Sequence, residues 1–361
     1  MVNIKSENKK EDIGVLLDKV KNQKIEIDEL KKVAAKQKEI IELIPQQSRT
    51  YMGYSTSDGK ITYRNWWTVK GEKELKGYFD RTWFTAYIQN KFPDEDYKLN
   101  FFSVFDKLYN LKEEMPGKKI LYSGEDLNYR PRFRYFNKEF GQYALSYVDL
   151  AMGFDLIDHE KYFRFPGYMR RIFKPIVDEE LIEDTFSNFN SLNFKKTKDV
   201  ALIASHDNWN TRKVIVDDIQ DYVNIEYAGN WRNNTRELWD KYKDKKVNYL
   251  KQFKFNVCPE NLVDDGYVTE KIFQSIQANC IPLYMGGGNY LEPKILNKDA
   301  ILIWQPDEDN SDVLELFKNL MSDKKSYSEF RDQDIILDTA AKHMIKKFKT
   351  FDKHLERLIC S

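Results

Sequence analysis

Neither sign of charge prevails in this chain: 58 basic residues offset 58 acidic ones across 361 positions. With no net field to gather nucleic acid or an anionic membrane, any anion must be held locally. Cysteine is scarce. Cys258, Cys280 and Cys360 are odd in number and lack metal-ligand spacing, which argues against a disulfide framework and for a reducing compartment. Long apolar runs are missing too, so no window has the length needed to cross a bilayer, and the opening MVNIKSENKKED holds no apolar signal core. The expectation is a cytoplasmic protein without a membrane span. Of the few histidines, His159 and His206 sit in no partner pattern that would make them bases, and an ordinary polar role is the default. What the chain does have is core material. Its 41% hydrophobic and 14% aromatic content, at this length, suffices for two domains plus appendages.

Residues 12 to 44 carry a heptad, with Ile13, Val20, Ile27, Ala34 and Ile41 at one core position and Leu16, Gln23, Leu30, Gln37 and Ile44 at the other. β-branched residues at the first position and leucine at the second favour a parallel two-stranded coiled coil, hence a homodimer. The alternative is a single solvated helix. Pro45 ends the segment, so residues 1–45 read as a coiled-coil helix.

From Tyr51 the texture becomes short and aromatic. Lys60–Thr68, Tyr97–Phe105, Lys119–Ser123 and Asp149–Phe154 read as strands. A second series alternates: strand Asp199–Ala204, helix near Arg212–Asp221, strand Val223–Tyr227, helix near Thr235–Leu250, then strands Phe253–Cys258, Cys280–Met285 and Ala300–Trp304. Such alternation implies parallel sheets with helices on both faces. The expected architecture is α/β, two doubly wound domains facing a cleft, over residues 50–175 and 176–325. The stretch Ser326–Leu358 puts Ala341, Ile345, Phe348, Phe351, Leu355 and Leu358 on one helical face. That amphipathic helix, residues 326–361, is expected to pack across the domains; a membrane surface is the other reading.

Residues 253–286 say most about function. A strand ends at Cys258, a carboxylate-bearing loop follows, and Thr269-Glu270-Lys271 opens a helix striped by Ile272, Phe273 and Ile276. A helix starting at the carboxyl end of a strand presents free N–H groups and a positive dipole end, and Lys271 adds a full charge. Tyr267 offers an aromatic face with a hydroxyl. This junction suits a nucleotide diphosphate. The D-x-D runs Asp94-Glu95-Asp96 and Asp307-Glu308-Asp309 resemble manganese-binding patterns, but each lies in a polar stretch beside proline, where a solvated turn is the plainer explanation. No metal site is expected.

The same stretch resembles the donor-binding motif of the α-1,3-fucosyltransferases of glycosyltransferase family 10, through Glu260, Asn261, Tyr267, Thr269, Glu270, Lys271, Pro282 and Gly286. Asn65-Trp66-Trp67 with the following K-E-L-K-G, Tyr122-Ser123-Gly124-Glu125-Asp126, Ala151-Met152-Gly153-Phe154-Asp155 and Tyr162-Phe163-Arg164-Phe165-Pro166 fall in the family's order, from about Tyr63 to Gly286. Asp126 replaces the family's asparagine, and Pro259 stands where an aromatic is usual. The membrane anchor of animal members has no counterpart here, which points to the bacterial or viral type. The resemblance implies a GT-B fold, GDP-fucose as donor, an N-acetylglucosamine-containing, lactosamine-like acceptor, an α-1,3 linkage and inversion.

By resemblance, Glu125 is the general base, Arg232 and Lys271 hold the pyrophosphate without metal, and Glu260, Asn261, Tyr267, Thr269 and Glu270 belong to the donor site. From the residues alone, Glu125 reads first as a helix N-cap or loop acid, Glu260 as a loop acid that orders the turn, and Glu270 first as a carboxylate stabilised by a helix dipole. Core packing of at least one ring is the default for Trp66 and Trp67. Two other functions stay open: a transferase with another nucleotide sugar, and an inactive glycan-binding protein.

Overall fold

The computed structural model describes residues 54–56, 58–66, 79–105, 111–128 and 131–360. The heptad at 12–44, Trp67 and the K-E-L-K-G stretch at 73–77 lie outside them.

One sheet contains β1 (Tyr54–Ser55), β2 (Ile61–Arg64), β3 (Leu99–Phe102), β4 (Lys118–Tyr122), β5 (Leu150–Gly153) and β6 (Tyr162–Arg164), side by side in that order. Only β1 and β2 run antiparallel. Successive residues along its strands enter different clusters. Phe101, Ile120, Tyr122 and Met152 pack on one side, while Phe102, Leu121 and Ala151 pack on the other. Both faces are therefore buried, as parallel strands require. Helices α1 (Phe79–Lys91), α3 (Tyr168–Ile172) and α4 (Glu179–Ser191) contribute Trp83, Phe84, Tyr168, Ile182 and Phe186 to the first cluster. The second is closed by Phe133, Phe136 and Phe140 of α2 (Pro131–Phe140).

The other sheet is parallel throughout, in the order β11 (Leu302–Ile303), β10 (Ile281–Tyr284), β9 (Phe253–Val257), β7 (Lys198–Leu202), β8 (Ile225–Tyr227). Chain order reverses between β7 and β9. Loops leaving these neighbours turn opposite ways and open a crevice at their carboxyl ends, where ligands bind in open α/β sheets. Helix α5 (Thr211–Ile219) follows β7. The expected helix over 235–250 is instead two short ones, α6 (Glu237–Asp240) and α7 (Lys246–Leu250). Between them Lys243 and Asp244 adopt left-handed φ of 52° and 59°, which no α-helix accommodates. Helix α8 (Glu270–Gln277) follows β9, capped by the Thr269 side chain.

After α9 (Ser311–Ser322) and α10 (Lys324–Arg331), the chain ends in α11 (Thr339–Ile359). This helix packs into the protein: Phe351 is fully buried, 5.4 Å from the Tyr87 and Phe163 rings and 5.2 Å from Phe165. The C-terminal helix thus returns to the six-stranded sheet. Its buried stripe begins at Ala340 and Met344, one position before the expected Ala341 and Ile345, which are only partly covered. Apolar residues occupy both pairs, so periodicity could not choose between them.

Candidate active site

A cleft of about 520 Å³ lies between the carboxyl ends of the two sheets. Trp66, Tyr122, Gly124, Glu125, Arg170 and Arg171 line one wall; the other carries His206, Arg212, Asn230, Trp239, Lys246, Asn261, Tyr267, Thr269, Glu270 and Lys271. A volume of this order suits a nucleotide-sized ligand.

Glu125 follows β4 directly. The Ser123 hydroxyl donates to the Glu125 carbonyl at 2.8 Å and accepts from its N–H at 3.2 Å, forming a short turn that puts residue 125 on the cleft wall. Asp126 is wholly buried instead, and one of its oxygens accepts from the Asn128 N–H at 2.7 Å. Trp66 both lines the cleft and belongs to the core, 5% exposed and stacked on Tyr122 at 5.9 Å.

On the facing wall the loop after β9 carries most of the residues expected there. Asn261, Tyr267, Thr269, Glu270 and Lys271 all line the cleft. Glu260 does not. Its carboxylate is fully buried and accepts from the Thr269 N–H at 2.7 Å, the Thr269 hydroxyl at 2.7 Å, the Lys271 ammonium at 2.7 Å and the Tyr284 hydroxyl at 3.1 Å. Burial, together with this carboxylate, pushes the Tyr284 phenol far above its ordinary range. Glu260 is thus a brace beneath the start of α8 rather than a ligand-facing group. Gly286 belongs to the same arrangement, because a Cβ there would come 2.6 Å from Glu260 Cγ.

The structure corrects the placement of Arg232. Trp231 N–H is tied to the Ala204 carbonyl at 3.0 Å, and Gly229 is packed so tightly on Ala204 that a Cβ would lie 2.0 Å from that carbonyl. The chain then turns through a left-handed Arg232, φ 52°, and carries the side chain off the cleft wall. The guanidinium lies over the Trp231 ring at 4.7 Å and 3.9 Å from Asp217, and Arg232 is not among the cleft residues.

The arginine beside Lys271's loop is Arg212, in the first turn of α5. It is 5% exposed, donates to Asn261 Oδ1 at 2.8 Å and lies 3.5 Å from Asp207. The signal for it was available: Arg212 opens the helix after β7 just as Lys271 opens the helix after β9. What was missing was that β7 and β9 are neighbours. Arg170, Arg171, Lys246 and Trp239 were also missed. Arg170 is buried, donating to the Tyr122 hydroxyl at 2.9 Å, and no local pattern distinguishes it from a surface charge.

Both D-x-D runs are exposed and outside the cleft, and the Asp309 carboxylate caps the Ser311 N–H. His206 lines the cleft, whereas His159 sits on an exposed turn, accepting from the Lys161 N–H. Among the described residues no helix is long and apolar enough to cross a membrane.

Residues 193–352 match the family model for glycosyltransferase family 10 (fucosyltransferase), C-terminal part. The chain is similar to an α-(1,3)-fucosyltransferase FucT of Helicobacter pylori, 25% identical over 301 residues, covering 74% of this chain and 58% of that protein. It is also similar to α-(1,3)-fucosyltransferase B of Drosophila melanogaster, 24% identical, covering 61% of this chain and 47% of that protein. The chain therefore spans about half the length of these curated relatives. Among solved structures, an α1,3-fucosyltransferase matches with a TM-score of 0.54 at 21% identity, over 81% of this chain and 89% of that one. The same type of enzyme with GDP-fucose matches at 0.52 and 22% identity, over 80% of this chain and 88% of that one. At these identities the likeness carries the fold, the expected GT-B arrangement of two facing α/β halves.

Proposed function

We propose, from the match of residues 193–352 to the family 10 (fucosyltransferase) C-terminal model, that this chain transfers fucose from GDP-fucose, with inversion, to a hydroxyl of an N-acetylglucosamine-containing, lactosamine-like glycan, forming an α-1,3 linkage. One arrangement supports the reading. Lys271 and Arg212, at the carboxyl ends of adjacent strands, share a cleft with Glu125 on the opposite wall.

Fucosyl transfer must deprotonate an alcohol on one face of the sugar while pyrophosphate charge develops on the other. In this proposal Glu125 takes the acceptor proton, the acceptor oxygen attacks the anomeric carbon, and the bond to GDP breaks. Lys271, Arg212 and the N–H groups at the start of α8 receive the leaving charge, so no metal is required. Asn261, Tyr267, Thr269 and Glu270 hold the donor. A homodimer through residues 12–44 and a cytoplasmic setting are part of the proposal, the latter in keeping with three free thiols.

The test is labelled GDP-fucose with a panel of lactosamine and related acceptors, with and without chelator. Transfer insensitive to chelator is expected. No turnover of GDP-fucose alongside turnover of another nucleotide sugar would overturn the donor, and no turnover of any would leave a glycan-binding protein.

A further inference from the structure

Arg164, the last residue of β6, uses its guanidinium to join the two halves of the protein. Its Nε donates to the Phe154 carbonyl at 2.6 Å, on its own half. Its Nη2 donates to the Gly266 carbonyl at 2.9 Å and to Glu292 Oε1 at 2.7 Å, both on the facing half. The side chains are 11% and 1% exposed, and the guanidinium also lies over the Tyr290 ring at 5.0 Å. A planar fork is needed to reach several acceptors in different directions, and lysine cannot reproduce it.

Around this fastener the fit is close. Gly266 has φ +74°, and a Cβ there would meet Arg164 Nη2 at 3.0 Å and the Phe154 carbonyl at 3.2 Å. One residue on, the Tyr267 ring packs against Phe154 at 4.8 Å. Gly266 stands three residues before the Thr269 cap and five before Lys271. From Arg164 the sheet leads back to Glu125, since Gly153 of β5 pairs with Arg164 and Met152 pairs with Tyr122 of β4. Hydrogen bonds and short covalent links therefore run from one wall of the cleft to the other.

We propose that Arg164 is a positioning residue, which holds the donor loop against the facing half and so sets Lys271 opposite Glu125. The proposal rests on the fucosyl-transfer reading. It adds that the two walls are pinned on this side of the cleft, so that any opening of the cleft pivots about Arg164. Misplacement by about 1 Å can cost on the order of 10² in rate without touching a reacting group.

Arg164→Lys keeps the charge beside Glu292 but loses the fork. GDP affinity, measured by calorimetry, is expected to stay within about threefold of the parent, because the phosphate-facing groups belong to one half, while transfer kcat falls roughly 10²-fold. In Arg164→Ala, added guanidinium at sub-denaturing concentration should restore kcat at least about tenfold. An unchanged kcat in Arg164→Lys, or parallel losses of GDP affinity, kcat and midpoint, overturns the proposal. Hydrogen exchange supplies a readout independent of turnover. Amides of residues 264–269 should exchange faster in Arg164→Lys while those of β9 do not, and identical exchange in both proteins defeats the pinning even if the donor assignment holds. Failure of the parent to use GDP-fucose, with this exchange difference intact, defeats only the donor assignment.

Discussion

Oε2 of Glu260 and the Lys271 ammonium lie 2.7 Å apart, the carboxylate fully buried and the lysine side chain 24% exposed at the cleft. A sealed anion thus holds a cation by one side and leaves its other side to a ligand. Removing the anion leaves a half-buried ammonium without its partner and three donors aimed at a neutral group. Glu260→Gln is expected to destabilise the fold by roughly 2–4 kcal/mol, toward the lower end because Lys271 keeps some water. GDP should recover part of the loss, since pyrophosphate supplies the missing negative charge. Thermal unfolding with and without GDP checks both effects. An unchanged midpoint without ligand would show that the brace contributes nothing.

The two arginines assigned to opposite sides of the cleft wall should behave differently. Arg212→Ala removes a buried guanidinium that touches Asn261, and GDP affinity is expected to drop by at least about tenfold, the range of a charge-assisted hydrogen bond. Arg232→Ala removes an exposed one stacked on Trp231, and affinity should change by less than about threefold. Calorimetric titration with GDP separates the cases. A larger loss from Arg232 would restore it to the pyrophosphate.

That contrast also marks how far the sequence could be read. The stretch from Phe253 to Tyr284 was legible nearly to the residue, because strand alternation, a threonine cap and a helical stripe are local signals. Arg212 was not, because its proximity to Lys271's loop depends on β7 pairing with β9 across an excursion through β8. The inward role of Glu260 was hidden for a related reason: two of its partners sit in its own loop and helix, but Tyr284 comes from another strand. Lys243 and Asp244 break the expected helix without a glycine to announce it.

Glu125 is the residue on which turnover should depend most. Glu125→Gln preserves size but cannot accept the acceptor proton, so kcat should fall about 10²- to 10⁴-fold while GDP affinity is retained. The turn with Ser123 is made by the main-chain groups of residue 125, and the thermal midpoint of the variant separates a loss of chemistry from a loss of fold. Steady-state transfer together with GDP calorimetry gives both quantities. Retention of near-parental kcat would remove Glu125 from the chemistry.

Lys347 of α11 carries the clearest pH prediction. Its ammonium donates to the Arg164 carbonyl at 3.2 Å, and burial, reinforced by the Arg164 charge and only partly opposed by Glu292, lowers its pKa from the ordinary 10.5 to about 8. The folded state therefore disfavours the charged lysine. Below pH 8 the buried charge destabilises the fold in full; between about 8 and 10.5 the unfolded chain binds more protons, so this contribution to stability rises with pH. Lys347→Met, which fills similar space without the charge, should stabilise the protein at pH 7 by roughly 1–3 kcal/mol after allowing for the lost hydrogen bond. The gain should shrink steadily as pH rises through 8 toward 10.5. His343, the neighbouring titratable group, has its pKa lowered from 6.5 mainly by burial, so it titrates below this window. Denaturant unfolding of both proteins at pH 7, 8.5 and about 9.5 measures the difference. A gain that is the same at every pH would mean that Lys347 is charged throughout and that packing alone separates the two proteins.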